Sequence, residues 1–146
     1  MRRCERIEPD QSAPANCILG VPAADFPNAS VALRPYFRSF ERRSNGETTV
    51  RDLYGEVMAE RRQVWIVSGP RACALTQVVG QVVEITHCAG EGYQDWVAEL
   101  LETITAWAES IGATRIRVIC RPGWTKSLKA LGLKETHRVL ERNIGQ

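Results

Sequence analysis

Residues 82–120 read VVEITHCAGEGYQDWVAELLETITAWAESIGATRIRVIC, and the reading of this stretch decides the fold. Residues 81–87, QVVEITH, are rich in β-branched residues, the composition of a strand. Cys88-Ala89-Gly90-Glu91-Gly92 interrupts it with two glycines. From about Asp95 to Ile111 the period changes. Trp96, Val97, Leu100, Leu101, Ile104, Trp107, Ala108 and Ile111 form a stripe at helical spacing. Gly112 stands where a helix ends in a left-handed glycine. Residues 115–120, RIRVIC, form a strand again. A strand, a glycine loop, a long helix and a strand in succession define an α/β unit.

Working outward, QVWIVS (63–68) and ACALTQVV (72–79) read as two further strands separated by Gly69-Pro70, with Gly80 as the next turn. Such short connections imply an antiparallel meander. Upstream, Val50, Leu53, Tyr54, Val57 and Met58 follow helical spacing behind Thr49, with Asp52 placed to complete a capping box. Residues 30–43 form another candidate helix, and Pro35 is expected at its start or in its first turn. Downstream, a short helix over 124–130 ends at Gly132, and residues 133–144 read as a last strand. The order α-α-β-β-β-α-β-α-β implies one α/β domain of α+β type over 30–146, with a mostly antiparallel sheet and helices on its faces. Residues 1–29 hold four of the seven prolines and read as an extended arm.

The chain has 146 residues, 44% apolar and 25% charged, with a formal charge of +2. These values suit a globular domain and exclude a collagen or a disulfide scaffold. No apolar run approaches membrane-spanning length and the first residues lack a secretory apolar region, so a cytoplasmic protein is expected. The five cysteines, Cys4, Cys17, Cys73, Cys88 and Cys120, include no C-x-x-C pair. His87 and Cys88, as strand neighbours, point to opposite faces and make a poor chelate. No metal site is expected, and the cysteines read as small hydrophobes kept reduced. Charge is segregated. Residues 72–114 carry six acids and no Lys or Arg, whereas residues 115–146 carry eight Lys or Arg and two acids. The blocks read as solvated faces, as an acidic surface for a cationic partner, or as a basic edge for phosphate or nucleic acid. Arg115, Arg117, Arg121, Lys126 and Lys129 would form that edge.

The stretch from Val82 to Leu133 resembles the GNAT acetyltransferase superfamily. The likeness rests on His87-Cys88-Ala89-Gly90-Glu91-Gly92 at the place of the family's Q/R-x-x-G-x-G/A loop. It rests also on the helix wording of residues 100–108, on Ile111-Gly112-Ala113, and on Ser127-Leu128-Lys129-Ala130-Leu131-Gly132-Leu133. The resemblance implies acetyl-CoA, its diphosphate cradled by backbone N–H groups of residues 87–92 and the helix N-terminus. It also implies a splayed strand pair for the pantetheine arm, a base for an acceptor amine, and a phenol that protonates the leaving thiolate. Glu84 and His87 are the candidate bases. The pattern departs from the family at three points. His87 replaces Gln or Arg, and Glu91 and Asp95 place carboxylates beside the loop. Gly92 lies eight residues before Leu100, which lengthens the loop. Lys129 stands at the position of the usual phenol, with Tyr93 the only phenol nearby.

A narrower resemblance is to small GNAT-like proteins of tailed phages and prophages. It is carried by Thr-Thr-Val-Arg-Asp at 48–52, Arg-Gln-Val-Trp-Ile-Val at 62–67, Leu-Thr-Gln-Val at 75–78, the acidic glycine loop before Asp95-Trp96, and Arg-Pro-Gly-Trp at 121–124. It implies a virion structural or assembly accessory that binds other phage structural proteins through residues 1–29, in the host cytoplasm or the virion. Three readings therefore stand: that accessory, an acetyl-CoA-dependent N-acyltransferase acting on an amine, and a nucleic-acid-binding accessory.

Overall fold

The computed structural model describes residues 17–145. The chain runs β1 (Ile18–Val21), α1 (Phe26–Arg43), α2 (Val50–Met58), β2 (Gln63–Val67), β3 (Ala72–Val79), β4 (Val82–Gly90), α3 (Tyr93–Ser110), β5 (Arg115–Val118) and α4 (Thr125–Ala130), with 3-10 turns at Ala23–Asp25 and Pro122–Trp124. The five strands form one sheet in the order β1-β2-β3-β4-β5. The first four are antiparallel, and β5 joins β4 in parallel after the α3 crossover.

Strand alternation sorts the core into two layers. Trp65, Val67, Ala74, Val83 and Ile85 face α3, meeting Trp96, Leu100 and Ile104, with Leu128 added from α4. Val64, Cys73, Leu75 and Ala89 face α1 and α2, meeting Phe37, Phe40, Leu53 and Val57. Trp65 is fully buried; its indole N–H donates to Thr76 Oγ1 at 3.0 Å and its ring meets Trp107 edge-on. The capping box at α2 forms as expected. Asp52 N donates to Thr49 Oγ1 at 3.0 Å, and Thr49 N donates to the Asp52 carboxylate at 3.1 Å.

Four sequence expectations are corrected. The arm expected over 1–29 lies outside the described residues as far as residue 16, but from Cys17 the chain belongs to the domain. Ile18–Val21 pairs along β2, and α1 starts at Phe26, with Pro27 in the N-terminal position that needs no N–H donor. Four residues between prolines carry too little pattern to announce a strand; pairing with β2 makes it one. Second, Pro35 lies inside α1. It is tolerated because it sits on the exposed face, as does Val31, so the carbonyl it leaves without a donor is on the solvent side. Third, residues 133–145 adopt no helix or strand, and Val139, Leu140 and Ile144 stand exposed. Alternation alone does not make a strand where no neighbouring strand accepts it. Cys17 is disulfide-bonded, which corrects the reduced reading there; Cys73, Cys88 and Cys120 are free thiols. No helix among the described residues is long and apolar enough to cross a membrane.

Candidate functional site

The site originates in a fault in β4. The β3–β4 register pairs Thr76 with Ile85 but Leu75 with His87, so Thr86 is an extra residue. A bulge of this kind bends its strand and increases the local twist. On its other edge β4 is paired with β5 only over Val82–Ile85, the last bond being Ile119 N to Ile85 O at 3.0 Å. Beyond that bond the two strands part, and a cleft of about 660 Å³ opens between them. That is the size of a small-molecule pocket. Its walls differ. On the α3 and α4 side stand Tyr93, Val97, Leu100, Leu101, Trp124 and Leu128; on the α1 and α2 side stand Phe40, Arg43, Glu47, Glu56, Arg62 and His87.

His87 lies in this cleft against Phe40. Arg62, ion-paired with Glu56, donates through Nη1 to Thr86 Oγ1 at 2.6 Å. Thr86 Oγ1 is in turn 2.8 Å from His87 Nδ1 and 3.4 Å from the Leu75 carbonyl. The hydroxyl accepts from Arg62 and can give its one proton either to the Leu75 carbonyl or to Nδ1, so the network fixes the Nδ1 side of the ring on Thr86 in either tautomer. Burial first, then the Arg62 charge, pull this imidazole down to about 4, against an opposing pull from Glu56. It is a neutral ring at neutral pH, not one suited to take a proton.

Glu84 does not reach the cleft. It forms the middle of a cross-strand row, Gln77–Glu84–Arg117, set by the register of three strands. Arg117 Nη1 donates to one oxygen at 2.7 Å and Gln77 Nε2 to the other at 2.9 Å. The Arg117 bond is the main reason its carboxyl is held below the ordinary value. The expectation of Glu84 as a base is corrected: only 7% of it is accessible, and both carboxylate oxygens are engaged. A carboxylate paired in this way is a structural ion. The same pair removes Arg117 from the expected basic edge. Arg121 lines the cleft, while Arg115, Lys126 and Lys129 are exposed elsewhere, on β5 and α4. Cys88 packs toward α3, and burial pushes its thiol up to about 12, which removes it as a nucleophile.

The glycine loop is shaped by packing. Gly90 pairs with Ala72, and a Cβ at this position would lie 2.4 Å from Ala72 Cβ and 2.6 Å from the Arg71 carbonyl. Gly92 caps α3 with a φ of 65°. The Glu91 carbonyl accepts the Trp96 indole N–H at 2.8 Å, and Asp95 N turns back to the Gly92 carbonyl at 2.8 Å. The backbone of residues 90–95 is thus partly committed to its own helix.

Two site residues had little signal in the sequence. Tyr93 begins α3, stacks on Trp124 with ring centroids 4.6 Å apart, and has its Oη 3.0 Å from Ser127 Oγ on α4. The bonds to Ser127 and Gln94 lower its pKa. The phenol missing at position 129 is therefore supplied to α4 from another helix. Glu47, in the turn after α1, lines the cleft without an ion-pair partner among the described residues. The neighbouring Asn45-Gly46 is a local turn signal that says nothing of a cleft.

No protein-family model and no curated protein matches the sequence. Solved structures do match in fold. An aminoglycoside N-acetyltransferase in complex with CoA is 17% identical, with a TM-score of 0.62 over 96% of this chain and 100% of that one. An aminoglycoside acetyltransferase from an uncultured soil metagenomic sample, in complex with sisomicin, is 12% identical, with a TM-score of 0.62 over 90% and 96%. Glucosamine-6-phosphate N-acetyltransferase from Arabidopsis thaliana is 8% identical, with a TM-score of 0.59 over 90% and 99%. The chain has the GNAT acetyltransferase fold, helices on both faces of a mixed sheet included.

Proposed function

We propose that the chain is an acetyl-CoA-dependent N-acyltransferase whose transfer site is the cleft between β4 and β5. The observation that carries this reading is the bulge-driven parting of two parallel strands, in a fold shared with acetyltransferases, one of them in complex with CoA. The cleft suits a pantetheine arm: an open strand edge over residues 86–90 offers backbone groups, and Val97, Leu101 and Trp124 offer an apolar wall. Acetyl-CoA would supply an activated thioester. The residues of the chain supply the rest. Leu100, Val97 and Trp124 exclude water. His87, held through Nδ1 by Thr86, presents a neutral imidazole to the cleft. Glu47 takes the proton of an acceptor ammonium. Tyr93 holds a phenolic proton, shared with Ser127, for a departing thiolate.

Thermal unfolding with acetyl-CoA tests this. Saturation at about 100 times Kd adds about 2.7 kcal/mol, which for this length raises the midpoint by about 5–10 °C. A folded protein that shows no shift refutes the reading.

A second reading, a non-catalytic assembly accessory of phage type that binds other structural proteins, draws on one feature. Glu91 and Asp95 put carboxylates at the α3 N-terminus, where they satisfy the helix dipole and repel a diphosphate. This reading expects no CoA shift.

A further inference from the structure

The cleft carries a charge pattern that the acyltransferase reading leaves unused. Arg43, in the last turn of α1, and Arg121, just after β5, line the same opening from its two sides. Neither has a carboxylate partner among the described residues. Arg43 makes one long hydrogen bond, Nη1 to the Cys88 carbonyl at 3.5 Å, on the open edge of β4. The two guanidinium groups act on each other: after burial, Arg121 is the next largest influence lowering Arg43. Like charges held across a gap, with no internal counter-ion, are a site for an external anion. The third arginine of the cleft, Arg62, is neutralised by Glu56 and already bonded to Thr86.

We infer that Arg43 and Arg121 clamp a phosphate or carboxylate of the acceptor, so that the substrate is an amine that also carries an anion. This rests on the proposed acyltransferase site and names its substrate class. The acceptor is assigned rather than the CoA diphosphate because Arg43 shares its side of the cleft with Glu47, Glu56 and His87, while Arg121 is the one charged residue on an otherwise largely aromatic and aliphatic side opposite. Glu47 then faces the ammonium end and the arginines the anionic end of one zwitterion. A polycation such as sisomicin would meet the arginines unfavourably. The acidic segment 72–114, which favoured a cationic amine in the sequence, places Glu84 in an ion pair and does not supply a carboxylate to the lining between residues 84 and 101.

The test uses inorganic phosphate as probe, followed by the Nε–Hε signals of the arginines in the full chain, with Arg43→Gln, Arg121→Gln and, as a control, Lys126→Gln. Glucosamine 6-phosphate and glucosamine serve as a matched pair. Expected is saturable phosphate binding, weakened about ten- to a hundredfold by either arginine change, unaltered by Lys126→Gln, and a preference for the phosphorylated amine. CoA affinity, measured on the same proteins, stays within a few-fold. Phosphate binding that is absent, or indifferent to both arginines, overturns the clamp. CoA affinity that collapses with the arginines moves the site to the cofactor and overturns the acceptor assignment. If the unaltered chain binds phosphate through the arginines but never binds CoA, the acyltransferase reading fails while the anion site stands.

Discussion

Replacing Gly90 by Ala separates two accounts of the glycine loop. If Gly90 serves a bound diphosphate, the change harms ligand binding and leaves the apo fold intact. The structure says otherwise. The added methyl would lie 2.4 Å from Ala72 Cβ, 2.6 Å from the Arg71 carbonyl and 2.7 Å from Ala72 Cα, two of them backbone atoms that cannot swing away. Relief requires β3 and β4 to separate locally. Overpacking costs about 1–3 kcal/mol, and a φ of 153° adds strain for a side chain of about 1 kcal/mol or more. Reduced freedom of the unfolded chain returns about 0.4–1 kcal/mol. The net is a loss of about 3 kcal/mol. With an unfolding entropy of about 2.1 cal/mol/K per residue, that lowers the midpoint by about 10 °C. Gly92→Ala is the internal comparison: its φ is 65° and its Cβ would meet only Asp95 Oδ2, at 3.3 Å. A left-handed alanine costs about 1–2 kcal/mol before the same entropic return, so a drop of about 3 °C is expected. Both are read by thermal unfolding without ligand. A Gly90→Ala protein that melts no lower than Gly92→Ala would refute the packing account.

Further expectations follow from the same geometry. His87, one of only two histidines, should titrate near pH 4 by nitrogen NMR. The unfolded chain takes up this proton first, so stability is lost as pH falls from about 6.5 toward 4, by about 1–2 kcal/mol once solvent screening is allowed for. Titration near 6.5 would dissolve the Arg62–Thr86–His87 account. Glu84→Gln should destabilise by about 1–3 kcal/mol through the lost charge-assisted bond to Arg117, yet leave turnover of the folded enzyme within a few-fold; abolished turnover would restore Glu84 as the base. The Glu84 contribution is present at neutral pH and is lost on acidification through its lowered pKa. Tyr93→Phe should cut kcat about a hundredfold at nearly constant KM, with the melting midpoint almost unmoved. An unchanged kcat would exclude the phenol as proton donor.

The fold was largely legible because its signals are local. The α3 stripe from Trp96 to Ala108, the Thr49–Asp52 capping box and the three-strand meander depend on residues a few positions apart, and each forms where expected. The misses occur where a neighbour decides. β1 is a strand because β2 accepts it, and residues 133–145 form none because no strand pairs with them. Pro35 sits mid-helix because that face of α1 is solvated.

The candidate site divides in the same way. Sequence by itself determined which chemistry is present: a glycine loop with carboxylates, a histidine ending a strand, no phenol at position 129. Tertiary structure decided what each group does. The register that sets Glu84 between Gln77 and Arg117 turns a candidate base into an ion pair. The bulge at Thr86 turns a strand end into a cleft wall, and the packing of α3 on α4 carries Tyr93 to Ser127. Hydrogen bonds and charges act over a few ångströms in space, and at this site they join residues as far apart in the chain as Tyr93 and Ser127, 34 positions, and Arg43 and Cys88, 45 positions.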